Sequence, residues 1–111
     1  MTEKEFKFQY ALGALSEDAL ESIAEKSTSK YILTTLSKND IWYIRGHVAE
    51  NPNTPVKVLT NLSNDKDWFI RKLIAQHPNT PVEVLTKLAE DEEWRVKFWV
   101  TKALIDKGII V

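Results

Sequence analysis

Tryptophan and basic residues recur at a fixed interval in this 111-residue chain. Trp42, Trp68 and Trp94 stand 26 residues apart, and Arg45, Arg71 and Lys97 keep that interval three positions later. A cation one helical turn from a tryptophan, repeated in register, has the chemistry of recognition rather than of bond breaking. Tryptophan with arginine is the composition of binding hot spots. Two readings of the basic row stay open. Aligned along one edge, it makes a stripe for phosphates or for an acidic partner. Bonded to Asp40, Asp65 or Asp67, or to helix-end carbonyls, it glues successive units together. The tryptophans carry the same choice between an exposed strip and packing between units. Tyr43, Phe69, Phe98 and Trp99 fall on the same segments and add more aromatic area than short helices need to bury.

Other reactive groups are sparse. His47 and His77 occupy different positions of the repeat, with no H-E-x-x-H and no cysteine nearby, so a metal site is not expected. The run Glu90-Asp91-Glu92-Glu93 suits the positive end of a helix dipole. It also suits an acidic rim, with Asp65 and Asp67, for a basic partner. The chain has no G-x-S-x-G, no Walker loop, no G-x-G-x-x-G and only 3 glycines. These patterns lead to a non-enzymatic protein without a cofactor.

The elements that position the aromatic and basic rows follow from the repeat. Residues 44–63, IRGHVAENPNTPVKVLTNLS, align with 70–89, IRKLIAQHPNTPVEVLTKLA. Ile44, Ile70 and Val96 keep the register, as do Leu33, Leu59 and Leu85, and Leu36, Leu62 and Leu88. YALGALS at 10–16 is a weaker copy of YILTTLS at 31–37. That match favours a helix over 5–12, although Phe6, Phe8 and Tyr10 alternate as in a strand. Each unit holds two short helices. In the clearest copy the first is expected at 41–50, capped by Asp40 and ended by Asn51-Pro52. Thr54 is expected to cap the second, with Pro55 at its first position. Ile41, Ile44 and Val48 form one apolar stripe. Trp42 lies about 130° from the centre of that stripe, away from the core of its own unit. A last helix is expected from near Glu92 to Lys107, with Gly108 just beyond it. The apolar tail Ile109-Ile110-Val111 is placed to cover an open end. Helices of this length need their neighbours to be stable.

Size and composition agree. A 12.8 kDa chain with 43% hydrophobic residues makes one domain with a real core. A net charge of −1 argues against a general binder of phosphate backbones. The start, MTEKEFKFQY, lacks the apolar run of a signal peptide, and no segment is long and apolar enough for a membrane span. A soluble, cytoplasmic protein of bacterial or phage source is expected.

The block LSNDKDWFIRKLIAQHPNTPVEVLTKLAEDEEW, 62–94, resembles the leucine-rich repeat variant family, a HEAT-like group. Leu62, Asp65, Ile70, Arg71, Ile74, Ala75, Pro78, Thr80 and Pro81 fill that family's pattern. The preceding unit fills it with Leu36, Asp40, Ile44, Arg45, Val48, Ala49, Asn51, Pro52, Thr54 and Pro55. The resemblance implies an all-α, right-handed α-solenoid in which one helix of each unit is either α or 3₁₀. It covers about 31–101 and is weak over 1–30. The family's prototype holds an iron–sulfur cluster through cysteines, which this chain lacks. The resemblance implies a binding surface and no particular activity.

The expectation is a single domain of about four units. Residues 1–30 form a degenerate N-terminal cap, 31–91 the regular repeats, and 92–111 a C-terminal capping helix and tail. Its function is expected to be protein binding, as a small adaptor or an inhibitor that occludes a partner. The partner would be gripped by Trp42, Arg45, Trp68, Arg71, Trp94 and Lys97. Nucleic-acid binding through the basic ladder is the alternative from another class. A phage or mobile-element anti-defence protein is a further one. The apolar tail leaves homodimerisation open.

Overall fold

The computed structural model describes residues 1–111 and contains α-helices and no strand. In chain order these are α1 (Glu3–Ala11), α2 (Glu17–Lys26), α3 (Lys30–Leu36), α4 (Trp42–Glu50), α5 (Val56–Leu62), α6 (Trp68–Gln76), α7 (Val82–Leu88) and α8 (Trp94–Asp106). Helices α2, α4, α6 and α8 pack side by side as one layer. The shorter α3, α5 and α7 pack against that layer, and α1 packs on α3. The result is a solenoid measuring 48 × 22 × 17 Å.

The 26-residue register is a packing register. Leu33, Leu59 and Leu85 are fully buried, as are Ile44, Ile70 and Val96. Val48, Ile74 and Val100 complete the same rows. These apolar positions recur because each unit buries its stripe against the unit before and the unit after. At the N-terminal end Phe6 does this work, stacked on Tyr10 at 5.2 Å. The alternating aromatics of 5–12 therefore lie on a helix. It is capped by Thr2, which accepts from the Glu5 amide while Glu5 accepts from the Thr2 amide.

Several local expectations are corrected. The short helices α3, α5 and α7 are α rather than 3₁₀. Their bonds run four residues back, as from Leu59 N–H to Pro55 O and Ser63 N–H to Leu59 O, and tighten to three at the ends, as from Val58 N–H to Pro55 O. Asp40 does not cap α4. Ile41 holds the cap position without a side-chain bond, because Asn39 Oδ1 accepts the Ile41 N–H and keeps 39–41 in a turn. Asp65 accepts from the Asp67 N–H and Asp91 from the Glu93 N–H, each at 2.9 Å. The same turn therefore starts α8 at Trp94 rather than Glu92. Glu93 is its N-cap, and Gly108, at φ +74°, follows its C-cap Lys107. The 109–111 tail turns back to bond Leu104 O through the Ile109 amide, but its side chains stay exposed rather than buried against an open end.

Thr54 is not the N-cap of α5 either; Pro55 stands there. The buried Thr54 hydroxyl instead donates to Val48 O at 2.6 Å, and Thr80 donates to Ile74 O at the same distance. The Val48 and Ile74 carbonyls also accept from the Asn51 and His77 amides at 3.2 Å, so each threonine supplies the second and shorter bond at the end of α4 or α6. Asn51 and His77 complete the loop. Asn51 Nδ2 donates to the carbonyls of Ala24, Glu25 and Ser27, one unit back, while its Oδ1 accepts from the Asn53 N–H. His77, 26 residues on, does both jobs with a ring. Nδ1 accepts from the Asn79 N–H, so Nε2 carries the proton and donates to Asn51 O at 2.9 Å.

Gly46 sits inside α4, where a Cβ would meet Ile70 Cδ1 at 3.6 Å and Leu73 Cδ1 at 3.7 Å, ordinary contact distances. Glycine weakens a helix interior and no close approach requires it here. Gly46→Ala is therefore expected to stabilise the protein by about 0.5–1 kcal/mol, read as a raised midpoint in urea unfolding.

Candidate functional site

Each of α4, α6 and α8 begins with a tryptophan, so their N-termini carry one aromatic row. Trp42 is 51% exposed, Trp68 36% and Trp94 66%. Trp42 meets the half-buried Phe69 edge to face at 5.5 Å, and Phe69 meets Trp68 at 6.2 Å. Tyr43 packs against Trp42 at 5.7 Å. Its hydroxyl donates to Glu17, and holding its proton in that bond, with some desolvation, pushes the phenol up to about 12. Arg95 lies between the second and third tryptophans, 4.7 Å from the Trp68 ring and 5.0 Å from the Trp94 ring. Its Nη1 donates to Glu93 at 2.6 Å. Phe98 is exposed on α8, while Trp99 is half-buried against the core. The row thus runs continuously over three units.

The basic row takes its other reading. Arg45 is buried at 5% exposure. Nε and Nη2 donate to the two oxygens of Asp65 at 2.8 and 3.2 Å, and Nη2 donates also to Asp67. Nη1 donates to the Asn39 and Asp40 carbonyls, so Asp40 contributes its backbone and not its carboxylate. Arg71 repeats the pattern one unit on. It holds Asp91 with Nε at 2.7 Å and Nη2 at 3.2 Å, and Asp65 O with Nη1 at 2.8 Å. Hydrogen bonding to Asp65 and to Asp91, opposed by burial, raises the pKa of Arg45 and Arg71 respectively. Of the six positions expected to grip a partner, Trp42, Trp68 and Trp94 share one exposed row, and Lys97 is exposed nearby. Arg45 and Arg71 face inward, because a planar fork of donors fits a bidentate carboxylate that the next loop presents.

The first unit shows the pairing by its loss. Position 39 holds Asn where the later units hold Asp65 and Asp91, and position 19 holds Ala where they hold Arg45 and Arg71. Cation and anion are absent together. This signal was present in the sequence, together with the Asp65 and Asp91 register itself, and was not read from it. Arg95 was missed as well, because positions 43, 69 and 95 hold Tyr, Phe and Arg and so show no repeated type.

The histidines hold structure. His77 staples a loop as described, and His47 Nε2 lies 3.0 Å from Glu21 Oε1, joining α4 to α2. The acidic run divides its work: Glu93 caps α8 and Asp91 receives Arg71. A separate concavity of about 390 Å³ lies at the far end of α6 and α8, lined by Ala75, His77, Trp99 and Lys102 among others. No helix is long and apolar enough to cross a membrane.

An all-helical chain of two-helix units stacked on a short period is a helical-repeat protein. Residues 68–93, from the first residue of α6 to the N-cap of α8, match the leucine rich repeat variant family, a HEAT-like helical repeat. No curated protein and no solved structure matches the chain. Repeats of this family typically serve protein interaction.

Two outcomes follow from the ion pairs. Asp65→Ala leaves a buried guanidinium short of its main partner, and a loss of about 3 kcal/mol in urea unfolding is expected. Combining it with Arg45→Met is expected to cost less than the sum of the two single losses. Asp91 is the second case. Burial alone would raise its pKa, but Arg71, the Glu93 amide and Lys97 together hold it below 3.8. A carboxylate depressed in the folded state contributes above its unfolded value and loses that contribution as pH falls through its folded value. The gap in thermal midpoint between wild type and Asp91→Asn should therefore be constant above about pH 5 and shrink below about pH 4.

Proposed function

We propose that this protein is a non-enzymatic binding module that grips a partner protein with the row made by Trp42, Trp68 and Trp94. One observation carries the reading. Three tryptophans, the costliest residues to leave in water, stand exposed in register on adjacent helix ends. Exposed, aligned aromatics next to arginine are the composition of interface hot spots. The ring chemistry of this surface holds ligands rather than transforms them. Lys97, exposed on α8, and Arg95, between the rings, add positive charge to the row. Arg45 and Arg71 act one layer below, fixing the helix ends that carry it.

A nucleic-acid reading loses its support with the basic ladder, since Arg45 and Arg71 are already bonded to Asp65, Asp67 and Asp91. A small adaptor or a stoichiometric inhibitor, including one that a phage directs against a host defence, fits a small chain that presents an aligned aromatic contact face. The test is capture from a lysate of the source organism with tagged wild type and with Trp42→Ala/Trp68→Ala/Trp94→Ala. The triple variant is expected to keep its helical circular dichroism and to lose the captured protein by at least about tenfold. A folded triple variant that captures the same protein equally well would overturn the reading.

A further inference from the structure

The gap between Trp68 and Trp94 shows what this surface takes. It is filled from within by Arg95, whose guanidinium lies over both rings while bonding to Glu93. One unit earlier the register repeats the walls and the anion but not the cation. Trp42 and Trp68 stand for Trp68 and Trp94, Asp67 stands for Glu93, and Phe69 stands where Arg95 is. The result is an open slot of about 320 Å³ lined by Trp42, Asp67, Trp68 and Phe69.

The slot keeps a carboxylate oxygen for a cation. Arg45 takes both oxygens of Asp65, which also lies beside Arg71, but only one oxygen of Asp67. Asp67 gives Oδ2 to Arg45, accepts nothing at Oδ1, and keeps its side chain 42% exposed. The nearby cations are engaged elsewhere and do not line the slot: Arg95, on the Trp68 ring, bonds to Glu93, and Lys72 Nζ lies 4.7 Å from the Phe69 ring.

Resting on the protein-binding reading, we propose that this slot receives an arginine side chain of the partner, stacked between Trp42 and Trp68 and paired with Asp67. The guanidinium is planar, weakly hydrated and forked. It stacks on indole faces and bonds a carboxylate in one pose, as Arg95 already does next door. Phe69 gives the slot an apolar floor, so the pairing is less exposed to water than on a bare surface. A lysine would fill it less well, because a compact, strongly hydrated ammonium lacks the flat face that two rings call for.

The probe is N-acetyl-arginine amide, titrated into the ¹⁵N-labelled full chain, with N-acetyl-citrulline amide as the uncharged isostere. The expected result is saturable shifts of the Trp42 and Trp68 indole N–H signals with arginine and none with citrulline. Trp42→Ala should weaken the probe's binding about tenfold or more. Arg95→Ala removes the internal occupant, so a second site should open, reported by the Trp94 indole. Phe69→Arg should fill the first slot from within and abolish the Trp42 response; if that variant does not fold, Arg95→Ala decides alone. Equal shifts with citrulline, no shift with arginine, or no second site in Arg95→Ala would each overturn the proposal. Silent indoles alongside loss of the partner by the triple tryptophan variant would remove the slot and keep the protein-binding reading. A bound probe alongside an undiminished partner would remove both.

Discussion

The arrangement depends on one kind of bond, the arginine that ties two successive loops. Arg71 reaches back to the carbonyl of Asp65 and forward to the carboxylate of Asp91. Asp65 in turn receives Arg45, which reaches back to Asn39. The loops before α4, α6 and α8 are thereby strung on a single line of charge-assisted hydrogen bonds. Each of these loops is also an Asx turn whose side chain sets the first residue of the next helix. Because Asp65 and Asp91 each turn their own loop and accept an arginine, the ion pair fixes where α6 and α8 start, while before α4 Asn39 makes the turn and its carbonyl receives Arg45. The tryptophans are those first residues. Their alignment on the surface follows from these buried bonds one layer below them.

That dependence gives the buried charge a use. An isolated buried ion pair often contributes little net stability over apolar residues of the same shape. A relay that fixes register between otherwise similar units is different in kind. Leucine and isoleucine stripes attract neighbouring helices without setting their axial position sharply, whereas a bidentate bond tolerates little slip. On the opposite edge, the N-P-N-T-P and H-P-N-T-P loops do the same with neutral groups. Asn51 and His77 bond backward to the preceding unit, and Thr54 and Thr80 close the ends of α4 and α6. Polar staples thus hold both edges of the long-helix layer, with the apolar rows of Ile44, Ile70 and Val96 between them.

This division explains what was legible. Apolar spacing is a one-dimensional signal, so the helices, their pairing into units and the buried rows could be read directly from Leu33, Leu59, Leu85 and their partners. The helix starts were misread at Asp40, Thr54 and Glu92 because the Thr54 side chain is used elsewhere and the Asx turns of Asn39 and Asp91 set the other two starts. Thr54 is a donor to the buried end of α4, and Asp40 gives way to the Asn39 turn. The basic ladder was visible as a ladder, but its direction was not. Whether Arg45 points inward depends on an aspartate 20 residues away, which no local pattern connects to it. The 26-residue register of Asp65 and Asp91 and the matched loss of charge at Ala19 and Asn39 were the sequence traces of that link.

The aromatic row gains its meaning from the same asymmetry. A tryptophan at a helix start in a solenoid can be buried by the next unit only if that unit supplies a covering side chain. Positions 43, 69 and 95 are where such cover would come from, and they differ in every unit. Tyr43 turns toward Glu17, Phe69 bridges two indoles by their edges, and Arg95 fills a gap outright. The repeated ion pairs of Arg45, Arg71, Asp65 and Asp91 lie below the surface, and the repeated tryptophans stand on it. Repetition builds the frame, and the unrepeated residue between the tryptophans decides which gap is closed and which is left for a ligand.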